Sequence, residues 1–364
     1  MVVPQDIERR RAVMNYGMSI VFRAIPLVMG AICLALGAYV LMETPHGRVP
    51  GAFVAGHVLL YLTSICVALF CTAATIIKQL ILPPGKTFHT WMPVLGYVVA
   101  LFTIYVGWDM IMVEHSAPLF VAGHVVLGLG LISCCVSTVA TASLRFIQIP
   151  VNSKSTSQAR SPQAYSPAQS VIMVLIPICC AIVGLGMGGA VLWKATSAEA
   201  LVGGHVLAGI GFVCASLVAL VVSVLKQINN TYTHGDRILW AQYVLICGLI
   251  NVCWGLLVLW QLPHPMAVAP GYVLIGLGIV CWSIRSKVIL LARVWRHAAP
   301  LAKRVPLIPV CTALTCLFIA AFLFQAATGD PAAYAVPARV MVGLGAVCFT
   351  LFSIVSILES GTSG

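Results

Sequence analysis

Charged residues are scarce in this chain of 364 residues. They make up 8% of the sequence, whereas 61% of the residues are hydrophobic and the mean hydropathy is +1.04. A soluble domain carries charge on about a quarter of its residues, so the composition predicts an integral membrane protein. Acidic residues are the rarest, with nine Asp and Glu against twenty Lys and Arg. We find no basic surface outside the apolar segments and expect no nucleic-acid partner.

Catalytic motifs are also missing from the sequence. It contains no nucleophile-elbow, zinc-protease or P-loop pattern and no paired carboxylates, so we expect no enzyme, no catalytic residues and no cofactor. The fourteen cysteines fall inside the apolar segments and form no CxxC pair, which argues against disulfides and against a metal site. We also expect no cleavable signal peptide.

Long apolar segments dominate what is present. Each has about 20 residues or more, the length that carries a helix across a bilayer. The predicted fold class is therefore an all-α integral membrane protein. Its ten transmembrane helices are predicted at 19–42, 51–78, 91–113, 118–146, 168–194, 198–226, 238–262, 267–294, 304–327 and 332–358.

The helices come in five tandem pairs. Gly56-His57-Val58 recurs around His124 and His205, and in altered form around Tyr272 and Arg339. The spacings between these five residues are 67, 81, 67 and 67. Such a period indicates an internal repeat. We predict two-helix repeats at 19–80, 91–147, 168–228, 238–297 and 304–360 within one transmembrane domain, 1–364, with a cytoplasmic linker at 151–167.

The basic residues predict the orientation. Seventeen Lys and Arg lie on the side of the N-terminus and three, Arg48, Lys194 and Arg339, lie on the other. Cytoplasmic loops carry this excess, so both termini are expected in the cytoplasm. Repeats of two helices all share one orientation, and parallel repeats are related by an axis along the membrane normal. We therefore predict a pseudo-fivefold ring with the second helix of each repeat inside.

A stripe of small and polar residues runs along each second helix. Counting the histidine or its counterpart as position 0, positions +4, +7, +11, +14 and +18 fall on one helical face. A stripe of this kind either lines a water-filled path or packs tightly against another helix. The predicted path-lining residues are Gly128, Gly209, Gly276, Gly343, Ser216, Ser283, Thr350, Thr138, Ser286 and Ser353.

Three levels along the stripe predict distinct roles. Position 0 gives an outer polar ring of His57, His124, His205, Tyr272 and Arg339. Position +7 gives an apolar constriction of Ser64, Leu131, Phe212, Ile279 and Ala346, of the kind that gates by dewetting. Position +21 gives an inner basic ring of Lys78, Arg145, Lys226 and Arg293. The basic residues also suit interfacial anchors, and the histidines suit fixed hydrogen-bond donors. Arg285 and Lys287 fit none of these levels.

The recurring Ala-Gly-His-Val segments at Ala55–Val58 and Ala122–Val125, together with Val342–Glu359, resemble the YhiM family of bacterial inner-membrane proteins. The resemblance extends over nearly the whole chain. It implies a location in the bacterial inner membrane and a link to survival at low pH. The activity of that family is unassigned, so the resemblance supplies no functional residues.

Polar residues at the two ends of the stripe favour a channel. The expected partners are the lipid bilayer and a permeant small anion or neutral solute, because acidic rings of the kind used by cation pores are missing. A proton-coupled secondary transporter and a non-transporting membrane scaffold or stress-response factor remain the alternatives. A transporter normally has broken helices and a charged site near the midplane.

The outer histidines predict a response to pH. Imidazole changes charge between pH 5 and 8, so acidification would add up to three positive charges at one level, and their repulsion would widen the ring. We expect solute flux in liposomes to rise between pH 7.5 and 4.5, and to become independent of pH when His57, His124 and His205 are all changed to Gln. Coinciding pH profiles of the two proteins would show that the histidines are structural.

Overall fold

The computed structural model describes residues 16–44, 51–81, 91–113, 116–145, 165–294 and 305–360. These residues form ten long helices: α1 (Tyr16–Met42), α2 (Ala52–Ile81), α3 (Trp91–Val113), α4 (Ala117–Ala142), α5 (Pro167–Trp193), α6 (Ala198–Ile228), α7 (His234–Gln261), α8 (Val268–Val294), α9 (Leu307–Ala326) and α10 (Pro331–Ser360). A 3-10 turn, Ser143–Arg145, continues α4. All ten helices are long and apolar enough to cross a membrane, which confirms the predicted all-α membrane fold.

The helix bounds follow local capping residues. Before α5, the Ser166 side chain accepts from the Gln169 amide and the Gln169 side chain accepts from the Ser166 amide, so both form a capping box. Thr233 and Asp236 form the same arrangement before α7. This second box explains a difference of four residues from the predicted bounds, because it starts α7 at His234 rather than at residue 238. The predicted linker lies outside the described residues as far as residue 164.

Burial separates the two helices of each pair. In the odd-numbered helices 28–33% of the most apolar window is buried inside the protein, against 67–83% in the even-numbered helices. The odd helices expose large apolar side chains, among them Phe318 and the terminal Trp193 and Trp260. Exposed apolar surface of this extent suits lipid, and tryptophan suits the membrane interface. The even helices therefore form the core and the odd helices cover it.

The contacts between helices repeat around the molecule. Each even helix packs against the even helix of the next pair, and α10 packs against α2, so these contacts form a closed cycle. Each odd helix packs against the even helix of its own pair and against that of the preceding pair, with α1 contacting α10. The same kinds of contact thus recur for all five helix pairs.

Glycine allows the two helices of a pair to approach closely. A Cβ atom added to Gly188 of α5 would lie 2.5 Å from the Ala208 amide nitrogen and 2.8 Å from the Gly204 carbonyl oxygen of α6. Gly255 of α7 approaches Gly271 of α8 in the same way, with 2.6 Å to its carbonyl oxygen. Small residues at such positions let helix backbones touch, which is the main source of helix association in lipid.

We expect Gly188→Ala to destabilise the protein, because the added methyl meets backbone atoms that cannot rotate away. Overpacking of this kind costs about 1–3 kcal/mol. Gly189, the next residue, is a matched control because no atom lies within 4 Å of the Cβ position. Thermal unfolding in detergent should show a lower Tm for Gly188→Ala and an unchanged or higher Tm for Gly189→Ala. Equal Tm values for both variants would contradict this packing.

Candidate functional site

A cavity lies between all five even helices. Its volume is about 20 Å³, which is enough for one water-sized occupant. Positions +8, +12 and +15 of the repeats line it. They are Ile65, Leu69 and Thr72 of α2, Ile132, Val136 and Val139 of α4, Val213, Leu217 and Leu220 of α6, Val280, Ile284 and Lys287 of α8, and Val347 and Leu351 of α10.

The lining positions lie on a different face from the small, polar stripe. At 100° per residue, positions +8, +12 and +15 point about 90° away from positions 0, +4 and +7. The centre of the described structure is consequently apolar rather than polar. The cavity is lined at position +8, whereas the predicted constriction lies at position +7.

The five residues of the predicted constriction contact neighbouring helices instead. The Ser64 hydroxyl bonds to the Ser133 hydroxyl of α4 at 2.8 Å. The Phe212 ring lies 6.3 Å from the Trp254 ring of α7, measured between centres. Leu131 and Ile279 are buried in the core, and Ala346 packs against it. Position +7 therefore belongs to the packing between helices.

The glycines of the stripe receive side chains from the next even helix. A Cβ at Gly128 would collide with Ile210 of α6, 2.5 Å away. A Cβ at Gly276 would lie 2.6 Å from Leu344 of α10. A Cβ at Gly209 would approach Leu274 and Leu277 of α8 in the same way, and a Cβ at Gly343 would approach Leu59 and Leu62 of α2. The contacts assign these four predicted path residues to helix packing, the second of the two roles open to the stripe.

The hydroxyl groups of the stripe are buried as well. Thr138, Ser216, Ser283, Ser286, Thr350 and Ser353 are each 0% exposed. Most of them donate to a carbonyl oxygen of their own helix, as Ser216 does to Val213 at 2.7 Å and Thr350 to Ala346 at 2.9 Å. Thr138 also bonds to the Tyr97 hydroxyl of α3 at 2.8 Å. These bonds satisfy the hydroxyl groups that make them without water. The buried Ser283 hydroxyl has no hydrogen-bond partner among the described residues.

Two of the three histidines of the outer level share one geometry. Nδ1 of His57 donates to the Phe53 carbonyl oxygen, and Nδ1 of His124 donates to that of Phe120, each at 2.7 Å. The His57 ring also packs on the Phe53 ring and the His124 ring on the Phe120 ring, with ring centres 4.3 Å and 4.2 Å apart. His205 differs, because its ring faces Trp254 of α7 at 5.4 Å and its buried Nδ1 has no hydrogen-bond partner among the described residues.

The other two members of the outer level also pack locally. Tyr272 is half-buried against the core. Nη1 of Arg339 donates to the Ala335 carbonyl oxygen at 2.7 Å, and its guanidinium carbon lies 5.8 Å from the centre of the Phe324 ring of α9. The predicted outer ring thus consists of residues at one depth that contact different neighbours.

At the inner end, two of the four predicted basic residues have described side chains. Nζ of Lys226 forms an ion pair with Oδ1 of Asp236 at 2.6 Å. The Arg145 guanidinium carbon lies 4.4 Å from the centre of the Tyr165 ring. Both are local contacts between neighbouring segments. The side chains of Lys78 and Arg293 lie outside the described part of the structure.

Lys287 is the charged residue that the sequence left without a role and the structure places at the cavity. Its side chain is 4% exposed and lines the cavity together with thirteen uncharged residues. Arg285, two residues earlier, points the other way, and its Nε donates to the Ala241 carbonyl oxygen of α7 at 3.2 Å. Arg285 and Lys287 therefore lie on different surfaces of α8.

One sequence pattern points to this cavity. Positions +8, +12 and +15 hold Val, Ile or Leu in every repeat except at Thr72 and Lys287. A lone lysine on an otherwise apolar face of a membrane helix is costly and marks a functional position. Among the residues the structure describes, no group of three or more His, Cys, Asp or Glu could hold a metal ion.

Comparison with known proteins identifies a family that the chain matches. The model of DUF2776, described as a protein of unknown function, matches residues 14–363. The chain is 44% identical over 352 residues to the inner membrane protein YhiM of Escherichia coli K12, covering 96% of this chain and 99% of that protein. No solved structure matches the chain.

Proposed function

The chain belongs to the DUF2776 family of inner-membrane proteins of unknown function, and we propose that it is a channel held in a closed state. Its path runs along the centre of a pseudo-fivefold ring formed by the five even helices. The observation that carries this proposal is the cavity bounded by equivalent positions of all five repeats.

The helix contacts support the ring. Even helices contact one another in a closed cycle, and odd helices cover the outside. An arrangement of two stacked bundles related by an in-plane axis would instead leave some even helices without an even neighbour on one side. The equal repeat spacings and the shared contacts both favour a single axis along the membrane normal.

The apolar lining supports a closed state. Position +8 contributes two isoleucines and three valines, and position +12 contributes three leucines, one valine and one isoleucine. A narrow path with such walls expels water, and ions do not cross a dewetted segment. We call these two levels the apolar seal. Opening requires the seal to become wider or more polar.

The orientation and the pH response are part of the same proposal. Seventeen of the twenty basic residues lie on the side of the termini, which supports cytoplasmic termini and an outer histidine level. Protonation of His57, His124 and His205 would place positive charges beside tightly packed neighbours and loosen the outer end of the helices. A channel that opens in this way would act under acid stress.

A proton-coupled transporter is the second candidate, and Lys287 favours it. Ionisable residues inside a membrane domain mark substrate, ion or proton pathways. Transport by such a protein saturates with solute concentration, whereas flux through an open channel rises linearly. A scaffold would show neither kind of flux.

Polar substitution of the apolar seal should open the path. We expect the combined variant Val213→Thr, Val280→Thr and Val347→Thr to raise chloride flux into liposomes about tenfold or more, because threonine keeps the shape of valine and lets water enter. The measurement is chloride efflux from loaded liposomes at equal protein content. A folded variant that leaks no more than empty liposomes would overturn the proposed channel.

Three exposed valines provide the matched control. Val94, Val98 and Val171 lie on α3 and α5, are 47%, 58% and 55% exposed, and face the lipid side. Their combined change to threonine adds the same three hydroxyl groups away from the centre. We expect this control to leave chloride flux at the native level. Raised flux in both variants would indicate general destabilisation of the fold.

The opened path should prefer anions. Lys287 carries the one charge among the residues that line the cavity, Arg339 adds a positive charge at the outer level, and acidic rings are missing from the even helices. In planar bilayers with a potassium chloride gradient, we expect the reversal potential of the threonine variant to have the sign of the chloride equilibrium potential. Selectivity for potassium over chloride would contradict this charge assignment.

A further inference from the structure

We propose that Lys287 forms a binding site for one small monovalent anion of halide size in the central cavity. This inference deepens the proposed function by naming the ligand class of the same cavity, and it rests on the path running through that cavity. Binding itself is a property of the closed protein and does not require conduction.

The surroundings of Lys287 call for a counter-charge. Its side chain is 4% exposed, and the rest of the lining is apolar except for Thr72. The Thr72 hydroxyl donates to the Ala68 carbonyl oxygen at 2.9 Å, so its proton is already used. Among the described residues, the Lys287 amine has neither a hydrogen bond nor an ion pair with protein. A buried ammonium ion is costly unless an opposite charge lies beside it.

The described carboxylates are not available to supply that charge. Asp236 is bonded to Lys226, Thr233 and Trp240. Glu43, Asp109, Glu199 and Asp330 lie at the outer end of the molecule, where α1 and α3 end and α6 and α10 begin. Lys287 lies fifteen residues beyond Tyr272 along α8, about 22 Å further inward. A mobile anion can reach the amine where these side chains cannot.

The size of the cavity limits the anion. A volume of about 20 Å³ accommodates a single water-sized particle. Chloride and bromide are close to that size, whereas a carboxylate with a carbon chain is not. Apolar walls also favour a weakly hydrated monovalent ion over phosphate or sulfate, because multiply charged ions lose more hydration energy on entry.

The test compares salts of one cation. The thermal unfolding of purified protein in detergent is first measured in sodium gluconate. The measurement is repeated on separate samples in which sodium bromide replaces the gluconate at the same ionic strength. A ligand that binds only the folded state raises stability with its concentration. We expect a saturable increase in Tm of about 2–5 °C with bromide for the native chain. An equal Tm in both salts would overturn the proposal.

Two variants of the lysine locate the site. Lys287→Leu repeats Leu220 and Lys287→Thr repeats Thr72, the residues at the same position of other repeats. We expect neither variant to respond to bromide, and Lys287→Leu to equal or exceed the native Tm in gluconate. Lys194→Leu removes an exposed lysine at the outer end and should keep the full bromide response. A response that survives in both Lys287 variants would place the anion elsewhere and overturn the assignment.

A direct measurement avoids dependence on the variants. Crystals of the native chain grown in bromide should show anomalous density beside the Lys287 amine. Density there without chloride flux through the threonine-opened seal would keep the anion site and refute the channel. Chloride flux without bromide density or a bromide-dependent Tm would keep the channel and refute the site.

Discussion

The contact between a glycine of one even helix and the apolar side chains of the next holds this structure together. Lipid tails are as apolar as the side chains, so close packing rather than water exclusion must join the helices. Four of the five interfaces use glycine at position +4 for this purpose. The fifth has Tyr61, which packs against the cluster of Met110, Ala122 and Val126. At the position of Val126 the other repeats carry leucine or methionine. A larger residue on one side is matched by a smaller one on the other.

This use of the small residues determines what reaches the centre. A helix that turns its glycine stripe toward its neighbour turns a face about 90° away toward the axis. In these repeats that face carries valine, isoleucine and leucine, so the centre is dry and nearly filled. The hydroxyl groups of the stripe then have to bond within their own helices, as Ser216 and Thr350 do. The packing of neighbouring even helices and the apolar lining of the cavity are thus one structural feature.

The sequence is sufficient to predict the helices and their pairing but not their rotation. Apolar length predicts the ten spans, and capping residues such as Ser166 and Thr233 explain their ends. A stripe of small residues, however, suits both a path and a tight interface, and the two differ only in which surface it faces. The apolar face that lines the cavity is indistinguishable in composition from a face toward lipid. Only Thr72 and Lys287 mark it, and each occurs in a single repeat.

There is a physical reason why only one of the five repeats carries a lysine at position +15, Lys287. Five lysines at position +15 would bring five ammonium ions around a cavity of about 20 Å³, where like charges in apolar surroundings repel strongly. Five apolar residues would leave a cavity without any polar partner for an ion or a water molecule. One lysine among the uncharged residues of the lining instead places a single positive charge at the cavity, which suits the one monovalent anion that we propose. Four of the five repeats therefore supply only uncharged side chains to the cavity, and one repeat supplies its single charge.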